Sequence, residues 1–157
     1  MPDINRNKYW NLLLSIFIVF GNILMDHFYA PSGITLTPII IIIVACLISL
    51  NKGKFDTVIQ VIIIYFLIAL NDLGIKLYGG GMHDSEGLGF IHLFLLAGLI
   101  PCFMILALST FKNKNDSLLK SLLSLFLVFA LIWIHFYFFS NTGLGKYYKI
   151  YHSFLWN

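Results

Sequence analysis

The sequence predicts an all-α, polytopic integral membrane protein, a helical bundle of about five transmembrane helices. Three observations lead there. Of 157 residues, 59% are hydrophobic and 11% charged, whereas a soluble domain is about a quarter charged. Such a chain has too little polar surface to cover a soluble globule. The apolar residues also fall into five runs, most of them close to the ~20 residues that cross a ~30 Å hydrocarbon layer as a helix. Finally, the polar stretches between and flanking the runs hold eight of the ten basic residues, as segments at a membrane surface do. The length suits one membrane domain over residues 1–157.

The first span is expected at about 9–29. Arg6 and Lys8 precede it, but the run is too long for the core of a signal peptide. Phe28-Tyr29-Ala30 also lacks the small residue of a cleavage site, so a retained helix is expected. Tyr9 and Trp10 suit the headgroup belt. Asn11, Ser15, Asn22 and Asp26 recur at helical spacing and form one polar stripe, which should turn away from lipid.

Pro31-Ser32-Gly33 makes a turn into a short second span, about 34–50, with Pro38 near its start. A third span is expected at about 55–78. In it Asp72 and Lys76 lie four apart and face one another, and Lys76 is near enough to the end to snorkel. The fourth span, about 88–110, carries Gly98 for close helix approach and Pro101 for a kink. Asp116 or Ser117 should cap the fifth, about 117–140. There Ser117, Ser121, Ser124, Val128, Leu131 and His135 form a small, partly polar packing seam. Residues 136–139 read as an interfacial aromatic girdle. The tail, 141–157, is too polar to span and is expected to lie on the membrane as a short helix.

Orientation follows from charge. With the N-terminus inside, Arg6, Lys8, Lys52, Lys54, Lys112, Lys114 and Lys120 face inward, and Lys76, Lys146 and Lys149 face outward. A re-entrant second segment would reverse everything after it. On the five-span topology all five histidines (His27, His83, His92, His135 and His152) lie toward the outer side with the C-terminus, together with Asp26, Asp72, Asp84 and Glu86.

The candidate site is therefore an outer His/carboxylate group made of Asp26, His27, Asp72, His83, Asp84, Glu86, His92 and His135. The loop over it is shaped by Gly79, Gly80, Gly81 and Gly87. Asp26, Asp72, His92 and His135 come from four helices at similar depth, and intramembrane ionisable residues are functional candidates by default.

Several chemistries suit these residue types. Imidazole and carboxylate bind divalent metals such as zinc, although no HExxH or HxxxH spacing is present. The leading expectation is a non-catalytic subunit or binding protein that takes a metal ion or a polar, lipid-like ligand. A metal-dependent intramembrane enzyme acting on a lipid-borne substrate is the alternative. Proton- or ion-coupled transport by an oligomer is the second alternative.

The expected partners are the lipid bilayer and a membrane protein or second copy, with no nucleic acid. The expected location is a prokaryotic cytoplasmic membrane. Gly79-Gly80-Gly81 opens no phosphate-loop pattern. No G-x-S-x-G elbow occurs, and Cys46 and Cys102 sit in apolar runs as free thiols.

Overall fold

A computed structural model describes residues 3–50, 55–113 and 116–148, with side chains from Tyr9 onward and without those of Met82, Tyr147 and Tyr148. Five helices form: α1 (Asp3–Phe28), α2 (Ser32–Ser49), α3 (Thr57–Tyr78), α4 (Ser85–Phe111) and α5 (Leu118–Phe139). Each contains a stretch long and apolar enough to cross a membrane, including the short α2.

Local chemistry sets the helix starts. Asp56 accepts the Val58 N–H at 3.0 Å, Asp84 accepts the Gly87 N–H at 2.7 Å and Ser117 accepts the Lys120 N–H at 3.2 Å. Each satisfies an N–H that has no partner inside its helix. The Asp84 cap explains why α4 begins at Ser85, three residues earlier than expected. Pro38 lies inside α2 rather than in its first turn.

Buried apolar residues from all five helices make one core, with Val19, Ile41, Val44, Ile64, Leu95, Leu106 and Val128 among them. Ser15, Asn22 and Asp26 are buried, and Asn11 donates to the Leu47 carbonyl at 2.9 Å. The polar stripe of α1 thus faces protein. Tyr9 and Trp10 are exposed, and the outward surfaces of the helices are apolar, with Phe17, Leu108, Phe126 and Trp133 all prominent. Helices α2 and α4 meet at Gly98, where a β-carbon would come within 2.9 Å of the Pro38 Cα. On α5, Ser121, Ser124, Val128 and His135 are buried, while Ser117 is exposed and serves as the cap.

At one end of the bundle Lys120 pairs with Asp56 (2.5 Å) and Asp116 (2.7 Å). Asp116 also accepts from Thr57 and from Asn113. The Lys120 hydrogen bond is the first cause holding both carboxyls below the ordinary aspartate value.

The opposite end departs from the expected surface helix. After α5 the chain turns through Asn141–Gly145, and Tyr147–Tyr148 (β2) pairs antiparallel with Gly81–Met82 (β1). The N–H of His83 donates to the Lys146 carbonyl (3.0 Å), and the N–H of Gly145 donates to the His83 carbonyl (2.8 Å). Backbone pairing with the loop after α3 offers residues 140–148 partners that a surface helix would not. The remaining tail residues, among them Lys149 and His152, lie outside the described residues, as do Lys52, Lys54 and Lys114.

Candidate functional site

The polar side chains at the β1–β2 end fall into three groups. The first is a buried ion cluster between α3 and α5. Lys76 Nζ lies 2.7 Å from Asp72 Oδ2, and both side chains are fully buried. The same oxygen accepts from His135 Nε2 at 2.9 Å. A carboxylate only accepts hydrogen bonds, so Nε2 carries the proton in this arrangement. Lys76 also donates to the Phe139 carbonyl at 3.0 Å, where it caps the last turn of α5.

Lys76 therefore does not snorkel. Its i,i+4 partner and the end of a neighbouring helix hold the ammonium inside. His92 from α4 is the fourth member: it lies beside the backbone of Ser140, and Lys76, Asp72 and His135 are its charged or titratable neighbours. Asp72 Oδ1, His92 Nε2 and His135 Nδ1 are buried without hydrogen-bond partners among the described residues.

A second group links α1, α2 and α3. Asn22 donates to the Gly33 carbonyl (3.1 Å) and to Asn71 Oδ1 (2.9 Å). Asn71 donates to Thr37 Oγ1 (3.2 Å), which donates to the Gly33 carbonyl (2.9 Å). Beside this ring Asp26 is completely buried. Its Oδ1 accepts the Ile34 N–H (3.1 Å), and its backbone carbonyl accepts the Gly80 N–H (3.0 Å). A β-carbon at Gly79 would meet Asp26 Oδ2 and come within 2.5 Å of the Ile75 carbonyl oxygen, which is backbone and cannot rotate away, so glycine suits the end of α3.

Asp26 is thus turned to the α2 start and the glycine loop, whereas Asp72, His92 and His135 are brought together. On the neighbouring surface His27 Nδ1 donates to the Tyr78 carbonyl (2.7 Å), and its ring stacks on Tyr78 at 4.2 Å.

The third group is a cavity of about 500 Å³. Its wall comes from the α1–α2 turn (Ala30, Pro31), the start of α2 (Ile34, Thr35), the loop (Gly80, Gly81, His83) and the start of α4 (Gly87, Phe90, Phe94). Gly81 has φ +87°, a left-handed conformation that glycine adopts without a steric penalty, and this turns the chain from α3 into β1. Asp84 is spent on capping α4, and Glu86 is exposed in its first turn.

His83 is the unusual member of the wall. It is 1% exposed, and neither ring nitrogen has a hydrogen-bond partner among the described residues. A buried polar atom left unsatisfied costs about 1–3 kcal/mol. Burial is the first cause pushing the His83 pKa down from the ordinary 6.5, with the Lys146 charge adding to it and Asp84 opposing.

Among the described residues no group of three or more His, Cys, Asp and Glu side chains is placed to hold a metal ion. In the cluster Asp72 Oδ2 is instead shared by Lys76 Nζ and His135 Nε2. Between the Asn71 network and Gln60, the next buried polar residue along α3, lie Val61, Ile64, Leu67, Ile68 and Ala69. This apolar stretch separates the site from the Gln60–Ser109 hydrogen bond (3.3 Å) farther along the bundle.

Lys76, Asn22, Asn71 and Thr37 belong to these networks without being part of the His/carboxylate group read from sequence, although Asn22 and Asn71 suited the transport alternative. The Asp72–Lys76 spacing and the α1 stripe carried the signal for Lys76 and Asn22. Nothing local announced that Phe139 and Gly143 would pack against Lys76. Comparison with protein-family models, with curated proteins and with solved structures returns no match.

Proposed function

We propose that this chain is a non-catalytic membrane protein that binds an amphipathic, lipid-like ligand in the cavity beneath the 79–87 loop. The observation that carries this reading is the apolar cavity of about 500 Å³ with one fully buried, unpartnered imidazole, His83, in its wall. Ligand sites are commonly concave and apolar, have volumes of roughly 300–1,000 Å³ and hold few polar groups, which orient the ligand. Ile34, Phe90 and Phe94 supply apolar surface for a tail. Thr35 supplies a hydroxyl in the wall.

The Asp72–Lys76–His135 cluster supports a binding role over a catalytic one. Its charges are already paired with one another, and it fastens α5 to α3. Transport is not favoured by an interior that is apolar between Asn71 and Gln60. On the orientation read from the basic residues, the cavity opens on the outer side of the membrane.

A photoreactive alkyl diazirine, incorporated with the protein in lipid nanodiscs, tests the reading. Labelling is expected on the peptide containing Phe90 and Phe94, and it should fall in a Thr35→Trp variant that fills the cavity mouth. Labelling confined to the outward-facing side chains of α5, unchanged by Thr35→Trp, would overturn it.

A further inference from the structure

We infer that the occupant of the cavity is an acyl chain of a phospholipid of the surrounding bilayer, which enters sideways between α2 and α4 while its head group stays at the membrane surface. This rests on the cavity being the binding site.

The first argument is where the wall is exposed. Thr35 and Phe90 are exposed, whereas Gly80 and His83, on the loop side, are buried. On α2, Thr35 is followed at steps of four by the exposed Ile39 and Ile43. On α4, Phe90 is followed at steps of three and four by the exposed Leu93, Ala97, Ile100 and Met104. Residues at these spacings share one face of a helix. Thr35 and Phe90 therefore each stand at the head of an exposed and otherwise apolar stripe, and in a helix that crosses a bilayer such a stripe meets hydrocarbon. The side of the cavity that carries them faces lipid chains rather than water.

The second argument is depth. Helix α2 begins at Ser32 and α4 at Ser85. At about 1.5 Å of rise per residue, Thr35 lies about 5 Å and Phe90 about 8 Å along their helices from those starts, and Phe94 about 14 Å. One leaflet supplies about half of a ~30 Å hydrocarbon core, so the cavity lies at the depth of the chains of a single leaflet. Farther along, α2 and α4 close on one another at Gly98, where a β-carbon would come within 2.9 Å of the Pro38 Cα. That backbone contact is the floor, and a chain that enters at Thr35 and Phe90 cannot pass between the helices beyond it.

The third argument is the surface inside. Ile34 and Phe94 line the cavity, and they pack with Ile75, Leu88 and Ile91 in one apolar cluster. Apolar atoms that face an unfilled space forfeit dispersion contacts. A methylene chain restores those contacts and needs no hydrogen bond in return. A polar head carried inside would lose its water, which keeps it at the surface near the helix starts.

The experiment uses the whole protein in nanodiscs of phosphatidylcholine, a fraction of which carries a diazirine in one acyl chain. Photolabelling, read residue by residue, is expected on Phe94 and Ile34 as well as on the lipid-facing Leu93 and Ile100. Thr35→Trp, which covers the opening from α2, should cut labelling of Phe94 and Ile34 about tenfold, the factor given by excluding roughly two methylenes from the cavity. Labelling of Leu93 and Ile100 should not change, which also reports that the variant is folded. Thr35→Ala should keep the wild-type pattern.

Phospholipid labelling of Leu93 and Ile100 alone, with Phe94 and Ile34 still reached by the free alkyl diazirine, would overturn phospholipid entry and leave the cavity as a site for another amphiphile. Phospholipid labelling of Phe94 and Ile34 that survives Thr35→Trp would overturn the sideways route. Absence of both probes from Phe94 and Ile34 would overturn the cavity as a binding site and this inference together.

Discussion

Lys76 is the largest fully buried side chain in the described chain, and a charge in that position survives because its partners are close and fixed. Removing one member of a buried pair leaves the other uncompensated, which typically costs about 3–5 kcal/mol. Lys76→Met should therefore destabilise the protein by about that amount in denaturant titration in detergent. The double change Lys76→Met with Asp72→Asn should recover a substantial part. If the single variant is as stable as wild type, Asp72 has another partner and the cluster does not fasten α5. His135→Phe removes the second donor to Asp72 Oδ2 and should cost less, about 1–3 kcal/mol.

Two contacts between elements carry sharper expectations. At Gly98 a β-carbon would lie 2.9 Å from the Pro38 Cα and 3.0 Å from Ile41 Cδ1. The first is backbone and cannot rotate away, so Gly98→Ala should push α2 from α4 and cost about 1–3 kcal/mol, read as a lower unfolding midpoint. The pairing of β1 with β2 should respond to pH through His83. Its folded pKa lies below the ordinary 6.5, chiefly through burial. The stability that His83 contributes is then fully present above that value and declines as pH falls through the depressed folded one. Acidification from about pH 7 to about pH 5 should lower the protection factors, exchange rates corrected for their intrinsic pH dependence, of the His83 and Gly145 amides, the two N–H groups that join the loop to residues 145–146. Protection factors that are constant across this window would show that His83 stays neutral or gains a compensating partner when protonated.

For the whole chain the testable property is how it sits in the bilayer. The candidate loop is expected on the outer side by the distribution of basic residues. Glu86, exposed at the start of α4, is a suitable probe: Glu86→Cys should react with an impermeant thiol reagent in intact cells. Reaction only after lysis would place the cavity on the inner side and reverse its access to ligand.

Five helical spans were legible in the sequence because apolar run length and helical periodicity are local properties. The α1 stripe of Asn11, Ser15, Asn22 and Asp26 could be placed on an inward face for the same reason, and so could the α5 seam through His135. The cap of α5 at Ser117 was legible too, whereas the caps at Asp56 and Asp84 were not read, and Asp84 moved the start of α4.

What the linear order could not convey was which inward-facing group meets which. Asp26 and Asp72 sit at the same end of the bundle, but Asp26 turns to the start of α2 and Asp72 to Lys76 and His135. That choice depends on how α1, α3 and α5 cross. The partners are separated by tens of residues, and several pairings satisfy the same periodicity. The strap of residues 140–148 was hidden for a related reason: its stability comes from backbone bonds to the loop after α3, which leave no mark on local composition. His83 was a loop histidine in the sequence. It became a buried histidine in the wall of an apolar cavity only when the α1–α2 turn, the glycine loop and the start of α4 were packed together, because burial is a property of the assembled bundle and of no single segment.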